Sequence, residues 1–348
     1  MKVFKLFPSN RAKFHFGDSA GKLKENFSSD QLFSALFNCA VLFCGAEEAT
    51  NMLIDSTFSL TSLFWGLRFV NRNSGVSKEL FFLPRPIAPF EFQSEQDLLA
   101  HKKLKKIQYF SFDAFQQVQK SWQRDLQHFA FNLLDLEAVG EKFACTKREI
   151  ESLGIKSADI KDLKFLAIQT NPRVVVSRAS DESDNFYYQE ALVVTHQQMN
   201  DYDVYPFMYF FWRGEFDQRL TAVIRLMADE GLGGKRSQGM GIFSKIEEVE
   251  LPEDLFAGES ECYASLSTVF PRYDEVDKML FYELTERSGF LHSKQGRSLR
   301  KKRVNLLKEG SIFSAKISGQ LVDVQPSGFS MHPVYLNGQG FLVPIGEV

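Results

Sequence analysis

The sequence predicts an α+β protein with antiparallel sheets. Strand-like and helix-like segments follow each other at irregular intervals, without the regular β–α–β repeat that builds a doubly wound parallel sheet. The 348 residues suffice for about two domains with separate cores. The 35 phenylalanines, spread over the whole chain, indicate aromatic-rich cores because large rings dominate burial.

The first strand and the first helix are encoded locally. Residues 2–7, "KVFKLF", alternate as a strand does. Residues 28–45 place apolar side chains at i, i+3 and i+4 spacing, which is typical of an amphipathic helix. Ser28 and Gln31 have the pattern of a capping box, and Gly45 stands where a C-terminal cap belongs.

The middle of the chain predicts strands, a mixed stretch and a hairpin. Residues 80–84 and 105–112 have the composition of strands, and 113–165 is mixed and largely helical in pattern. Residues 173–194 contain two β-branched or aromatic runs, separated by the acidic connection 179–185. Because that connection carries no apolar residue that needs burial, we expect the hairpin to project from the molecule.

A strand, a helix and another strand complete the first part of the chain. Residues 205–212 form an apolar run that predicts a strand. Residues 217–230 predict a helix with Asp217 as its N-cap and a one-sided apolar face. Residues 240–250 predict the strand that follows.

Charge is segregated along the chain. The net charge of −3 argues against an indiscriminate binder of polyanions. The basic segments 101–106 and 294–303 nevertheless stand apart from the acidic segment 247–261, which indicates one binding face and several other contacts. The acidic segment contains a proline and marks the boundary between a domain at 1–250 and a strand-heavy domain at 251–348.

The basic cluster of Arg300, Lys301, Lys302 and Arg303 points to a binding partner. Its charges repel each other unless a polyanion or an acidic protein surface faces them. The sequence does not choose between these two partners.

Several classes of protein are excluded. No apolar run is long enough for a membrane span, and the N-terminus lacks the pattern of a signal peptide. Cys39, Cys44, Cys145 and Cys262 show neither CxxC spacing nor a histidine cluster nearby, which excludes structural zinc and a disulfide framework and favours the cytoplasm. We expect no cofactor and no metal site.

The most distinctive stretch is "GLGGKRSQGMG" at residues 231–241. Its spacing fits neither the Walker loop nor the dinucleotide fingerprint. Both of those loops also lead from a strand into the N-terminus of a helix, whose dipole attracts phosphate. This loop instead leaves the C-terminus of a helix, whose dipole repels phosphate, and enters a strand.

An anion bound at this loop is therefore held by loop N–H groups, with Lys235 and Arg236 supplying the charge. Such an arrangement suits a sugar-phosphate backbone better than a compact triphosphate. Gly231 by itself is explained as a left-handed residue that follows the helix. The residues assigned to the site are Gly231, Gly233, Gly234, Lys235, Arg236, Ser237, Gly239 and Gly241.

This loop resembles the glycine-rich loop of the repeat-associated mysterious proteins (RAMPs) of CRISPR systems. Further stretches are similar to the fourth subunit of type III-A (Csm) effector complexes, and they run from the first strand to the last. They are "FHFGD" with "SSDQLFSAL", "FFLPRP" with "KKLKKIQYFS", "RKKRVNLLKEGSIF" and "HPVYLNGQGFLVPI".

The resemblance implies two ferredoxin-like (RRM-like) domains and a non-catalytic, RNA-binding subunit. It implies that the protein holds the 5′ repeat-derived tag of the CRISPR RNA in antiviral defence. Its neighbours would be the large polymerase/nuclease subunit and a backbone RAMP subunit. The family's thumb-like hairpin would correspond to residues 173–194, where Arg173 and Arg178 are the expected contacts.

Two other functions stay open. Related proteins of the superfamily include endoribonucleases with a histidine base near the first helix, and His15 lies in a comparable loop. A histidine in a basic loop equally fits a packed or phosphate-contacting side chain, so His15 is also assigned to RNA binding. The remaining alternative is an assembly scaffold whose basic patches face protein.

Overall fold

The structure is a computed structural model that describes residues 1–17, 23–91, 106–176, 183–251, 256, 258–291, 299–329 and 333–346. The α-helices are α1 Ser29–Cys44, α2 Ala46–Leu53, α3 Phe112–Lys120, α4 Lys147–Leu153, α5 Ser157–Lys161 and α6 Arg219–Glu230. Short 3-10 helices span Leu133–Asp135, Arg236–Gln238 and Tyr273–Lys278.

The strands fall into two series, one on each side of residue 251. The first series is β1 Lys2–Phe7, β2 Ala12–Phe14, β3 Phe16–Gly17, β4 Leu23–Lys24, β5 Phe58–Leu60, β6 Phe64–Asn71, β7 Ser77–Pro84, β8 Tyr109–Ser111, β9 Trp122–Gln123, β10 His128–Phe129, β11 Leu136–Val139, β12 Phe143–Thr146, β13 Leu166–Val176, β14 Ser183–Val194, β15 Gln197–Met199, β16 Tyr202–Gly214 and β17 Lys245–Glu250. The second is β18 Cys262–Ser265, β19 Met279–Phe281, β20 Leu284–Arg287, β21 Phe290–Leu291, β22 Leu299–Arg300, β23 Val304–Leu307, β24 Ile312–Phe313, β25 Gly319–Asp323, β26 Tyr335–Gln339 and β27 Leu342–Ile345.

The main sheet has the order β11-β12-β8-β7-β6-β16-β1-β17. Strand β1 lies between β16 and β17 and is antiparallel to both, with Lys2 opposite Trp212 and Glu250. Strand β16 is also antiparallel to β6, whereas β8 and β12 form a parallel pair. Helix α1 follows β1, and α6 connects β16 to β17. The expected α+β architecture with antiparallel sheets is confirmed at this level.

Aromatic side chains fill the core, as the composition predicts. Phe4 stacks on Phe210 across the β1–β16 pair at 5.1 Å between ring centroids, and Phe58 stacks on Trp212 at 4.1 Å. Such pairs stabilise a core beyond the area that they bury. Every residue of β1 from Val3 to Phe7 is buried, because the sheet is covered on both faces.

The helix ends agree with the capping signals, with one shift. Helix α1 begins after Ser28 with the predicted capping box and ends at Gly45, whose N–H donates to the Val41 carbonyl. Helix α6 begins two residues later than predicted. The N-cap position falls on Gln218, but the Asp217 carboxylate accepts the Arg219 N–H at 2.9 Å and so makes the kind of capping bond that was predicted.

Three strand or helix predictions are wrong in extent. The strand expected at 105–112 is limited to Tyr109–Ser111, because the Ser111 hydroxyl accepts the Ala114 N–H and caps α3. Residues 113–165 contain short strands as well as helices. The strand expected from 240 begins only at Lys245, since the preceding backbone is bonded into the glycine loop.

The hairpin is present and longer than predicted. Its strands β13 and β14 pair from Leu166 and Val194 outward, with a bulge between Val174 and Val175. Strand β2 pairs with the base of β14. Most of the acidic tip lies outside the described residues.

The two parts of the chain share one core. The second part forms a four-stranded sheet of order β19-β24-β18-β27 and several two-stranded hairpins. Buried residues of β18 and β27 belong to the same hydrophobic cluster as β1 and α1. At the N-terminus of α1, the Ser29 hydroxyl lies 2.8 Å from the Thr268 hydroxyl and accepts the Thr268 N–H at 2.9 Å. This junction positions the groove described next.

Candidate nucleic-acid interface

The glycine loop is held in place by the segment that follows β1. The Gly234 N–H donates to the His15 carbonyl and the Gly241 N–H to the Lys13 carbonyl, both at 2.8 Å. Gly241 has φ +86°, and a Cβ there would lie 2.2 Å from the Leu232 carbonyl oxygen, so only glycine fits. The loop is therefore a fixed shape between α6 and β17.

Two details of the loop differ from the sequence interpretation or extend it. Gly231 has φ +83° and ψ 158°, so it is not in the left-handed helical region expected after a helix. Two other loop residues are in that region, Gly239 and, without the freedom of a glycine, Lys235, with φ 59° and ψ 25°. A lysine in this conformation is strained, and such strain is concentrated at binding sites. It starts the short 3-10 helix that presents Arg236 and Ser237 to solvent.

His15 joins the glycine loop to the hairpin. It forms an isolated bridge with Gly233, and its Nδ1 lies 3.0 Å from the Glu190 carbonyl of β14. Because a carbonyl only accepts, Nδ1 carries the proton and the other ring nitrogen is the one that can contact a ligand. Gln189 of the same strand donates to the Gln238 side chain at 3.2 Å. The hairpin base and the loop therefore form one rigid support.

A groove of about 420 Å³, which we call the tag groove, runs between the glycine loop, α1 and the second part of the chain. It brings together predicted residues that are far apart in sequence. They are His15, Gly231, Gly233, Gly234, Arg236, Lys301 and Lys302.

The tag groove is electropositive. Among the described residues, its lining contains one carboxylate, that of Asp30, and this group is paired with Arg287. Lys302 lies 3.8 Å from the Asp323 carboxylate outside the lining, so the charges of Arg236 and Lys301 are the ones left to attract an anion. Burial lowers the pKa of Lys301, an effect that the nearby Asp30 carboxylate partly offsets. A phosphate close to Lys301 would stabilise its charged form.

Arg287 is the main groove residue that the sequence analysis missed. Its guanidinium donates to Asp30 Oδ2 at 2.7 Å and to the Ser28 hydroxyl at 2.7 Å, which fixes β20 against the first turn of α1. No local signal indicates this pairing, since 257 residues separate the partners. The carboxylate of Asp30 is 3% exposed and is occupied in holding the groove wall.

The polar stripe of α1 was also missed. Gln31, Ser34 and Asn38 line the tag groove opposite the basic segment. Their i, i+3, i+7 spacing is visible in the sequence as the complement of the apolar stripe.

The other predicted residues lie outside the groove lining. Lys235, Ser237 and Gly239 are exposed on the outer side of the loop, and Gly241 is buried beneath it. Arg300 donates to the Ser288 hydroxyl at 2.9 Å, and Arg303 pairs with Glu286 at 3.5 Å. Arg173 is exposed on the hairpin, and Arg178 lies outside the described residues.

A second cavity of about 740 Å³ adjoins the tag groove. Gln31 and Arg287 line both. Its basic residues are more fully engaged: Lys308 pairs with Glu283 at 2.7 Å, and the Arg85 guanidinium lies 4.6 Å from the Phe90 ring centroid. The tag groove is consequently the stronger candidate for an anionic ligand.

Within the described ranges, no three His, Cys, Asp or Glu side chains are grouped so as to hold a metal ion. The helices of that part of the chain are all too short or too polar to span a bilayer. All four cysteines are free thiols.

The chain is similar to CRISPR proteins. Residues 258–345 match the family model of the CRISPR Csm4 C-terminal domain. A protein described as "CRISPR system Cms protein Csm4" from Methanocaldococcus jannaschii is 28% identical over 384 aligned residues, which cover 99% of this chain and 97% of that protein. Its counterpart from Streptococcus thermophilus is 26% identical, with 94% of each chain covered.

Solved structures agree with this similarity at the level of the fold. A chain in the crystal structure of the Csm3–Csm4 subcomplex of the type III-A CRISPR-Cas interference complex superposes with a TM-score of 0.64 at 24% identity, covering 100% of both chains. A chain in the crystal structure of the Csm1–Csm4 cassette in complex with cA4 superposes with a TM-score of 0.55 at 16% identity, covering 99% of this chain and 97% of that chain.

Proposed function

Because this chain belongs to the Csm4 family of CRISPR effector subunits, we propose that it binds the 5′ repeat-derived tag of the CRISPR RNA through the tag groove. The observation that carries the proposal is that Lys301 and Lys302 line the same groove as the glycine loop and Arg236. Lysine and arginine along one groove suit a phosphodiester backbone. Several loop N–H groups already donate to backbone carbonyls, so the basic side chains carry the contact.

The protein bridges two neighbours in this proposal. The solved Csm3–Csm4 and Csm1–Csm4 assemblies support contacts with a backbone subunit and with the large subunit. The exposed clusters outside the groove, including Arg300 and Arg303, are available for either contact. The assembly would act in antiviral defence in the cytoplasm, a compartment favoured by four free thiols.

The hairpin acts as the thumb in this proposal. Phe186 and Tyr188 are 62% and 67% exposed on β14 and lie 5.1 Å apart in an edge-to-face pair. Arg173 on the paired strand lies opposite Tyr187, on the other face of the hairpin, so one face offers an aromatic pair and the other a basic group to an RNA strand.

The domain interpretation is part of the same proposal. The order β17-β1-β16-β6, all antiparallel, with α1 and α6 in the connections, is that of a ferredoxin-like βαββαβ unit. For the second domain, 251–348, the proposal rests on its four-stranded antiparallel sheet, because the described residues there form no α-helix. The boundary after residue 250 remains a prediction.

The role is non-catalytic in this proposal. His15 is oriented by a backbone carbonyl, and the carboxylate of Asp30 is paired with Arg287. Neither forms part of an acid–base pair, which RNA cleavage without a metal requires. The alternative of an endoribonuclease that uses His15 is tested in the same experiment as binding.

The test is a titration of labelled single-stranded repeat RNA with the full chain at several salt concentrations. We expect affinity to fall with salt, and an Arg236→Ala/Lys301→Ala variant, which removes two cations that line the groove, to reduce the log–log slope by about 1.4, the contribution of two contacts to a single strand. Lys245→Ala, an exposed lysine outside the groove, is the control. An unchanged slope in the double variant would overturn the phosphate assignment, and RNA fragments that disappear in His15→Ala would establish the endoribonuclease.

A further inference from the structure

The second part of the chain places an exposed ring in the wall of the tag groove. Phe290 lines the groove and is 67% exposed. It begins β21, where it pairs with Arg300 of β22. Exposed single rings are common on protein surfaces. This one differs because it stands inside an electropositive groove.

The backbone that carries the ring is bonded beside the lysines that line the groove. The Lys301 N–H donates to the Gly289 carbonyl at 2.8 Å, and the Lys302 N–H donates to the Val324 carbonyl at 3.0 Å. Arg300 donates to the Ser288 hydroxyl two residues before Phe290. The backbones of Phe290 and Lys301 therefore belong to one bonded unit, which sets the point from which the ring extends into the groove.

We propose that Phe290 is a stacking platform for one nucleobase of the bound RNA. This inference rests on the proposed RNA-binding function and adds to it a site for a base, where the glycine loop and the lysines serve the phosphates. A nucleobase offers a flat face to any aromatic ring, so the contact is tolerant of sequence. Gln31, Ser34 and Asn38 line the same groove, and their polar side chains suit the edge of that base.

A nucleobase is favoured over an apolar protein segment by the surroundings of the ring. Among the described residues, the groove lining contains the cations Arg236 and Lys301, together with Lys302, which lies 3.8 Å from Asp323, and its one carboxylate, that of Asp30, is paired with Arg287. An apolar peptide would desolvate these cations without pairing them, which is costly. A nucleotide supplies the ring with a face and the cations with a phosphate.

The test uses the full chain and single-stranded repeat RNA at constant salt. Phe290→Ala should weaken binding roughly 5- to 150-fold, the range for loss of one base–aromatic contact. Phe290→Trp should keep the affinity, and Phe290→Leu should lose most of it although it stays apolar. The matched control is Tyr273→Ala, because Tyr273 is 97% exposed in the same part of the chain and does not line the groove.

An abasic scan of the RNA makes the test specific. One abasic position should weaken binding to the wild-type chain by the same factor as Phe290→Ala, and that position should cost nothing further in the variant. If the loss of affinity from an abasic position and the loss from Phe290→Ala add at every position of the RNA, the inference is overturned. So would an unchanged RNA affinity in Phe290→Ala combined with weaker assembly with the neighbouring subunits, which would make the ring a protein contact.

The outcomes separate this inference from the function on which it rests. If the wild-type chain binds no RNA at low salt, the proposed function fails. If it binds with the expected salt dependence and Phe290→Ala changes nothing, only the stacking site fails. A thermal melt of each variant checks that the fold is retained, which we expect for an exposed side chain.

Discussion

We expect the loss of Arg287 to destabilise the protein more than the loss of any exposed cation. Its side chain is 12% exposed and that of Asp30 is 3% exposed, so the ion pair is buried. The guanidinium contacts both oxygens of the carboxylate, at 2.7 and 3.1 Å, and also the hydroxyl of Thr285 at 2.9 Å. Arg287→Met keeps most of the aliphatic packing and removes every one of these donors.

The magnitude follows from the carboxylate that is left behind. Removing one member of a buried pair costs about 3–5 kcal/mol, because the other charge stays buried without compensation. In Arg287→Met, Asp30 keeps the Thr268 hydroxyl at 3.1 Å and its place in the first turn of α1. The favourable helix dipole there offsets up to about 1 kcal/mol. We therefore expect a loss of about 3 kcal/mol in the free energy of unfolding.

The assay is urea unfolding followed by tryptophan fluorescence, with the slope of the transition compared between variants. Arg303→Met is the matched control, because its partner Glu286 is 3.5 Å away and the Arg303 side chain is 64% exposed. Such a surface pair contributes about 0–1 kcal/mol. The double variant Asp30→Asn/Arg287→Met should recover part of the loss. The reasoning is refuted if Arg287→Met costs no more than Arg303→Met.

Three further predictions concern the loop, acid stability and the thiols. Gly241→Ala should destabilise the protein by several kcal/mol, because the new Cβ would overlap a carbonyl oxygen. Gly239→Ala is also at positive φ but has open space around it, so it should cost only about 1–2 kcal/mol. Urea titrations of the two variants compare these losses. The hydrogen bond from Arg68 lowers the pKa of Glu247 from 4.5 to about 2, so stability that is present above pH 4.5 should be lost as the pH falls towards 2. Unfolding of Glu247→Gln, followed over this pH range, should depend less on pH. Iodoacetamide should modify native protein at Cys44 alone, because the other three thiols are at most 2% exposed and burial raises their pKa; a second adduct by mass spectrometry would contradict this.

The fold was predictable where local signals are strong. Capping signals in the sequence predict both ends of helix α1, at Ser28 and Gly45, and both bounds of β1 were predicted correctly. The strand at 105–112 failed because period-two alternation continues into a helix whose start depends on the Ser111 cap. An N-cap and a strand residue look alike when the tertiary contact that decides between them is unknown.

Individual residues of the tag groove were predictable from the sequence, but their coming together in the fold was not. The glycine loop and the lysines at 301 and 302 stand out by composition. Their meeting depends on backbone bonds from residues 13 and 15 to the loop and on the Asp30–Arg287 pair. Composition also could not distinguish Phe290 among 35 phenylalanines, because exposure is a property of the folded chain.

The junction at the start of α1 has a consequence for biosynthesis. Asp30 leaves the ribosome 257 residues ahead of Arg287, which at 5–20 residues per second is an interval of roughly 13 to 50 s. Throughout that interval the nascent chain lacks the counter-ion of Asp30 and the whole lysine wall of the groove. The complete groove therefore cannot form on the growing polypeptide until the segment that carries Arg287, Lys301 and Lys302 has been synthesised.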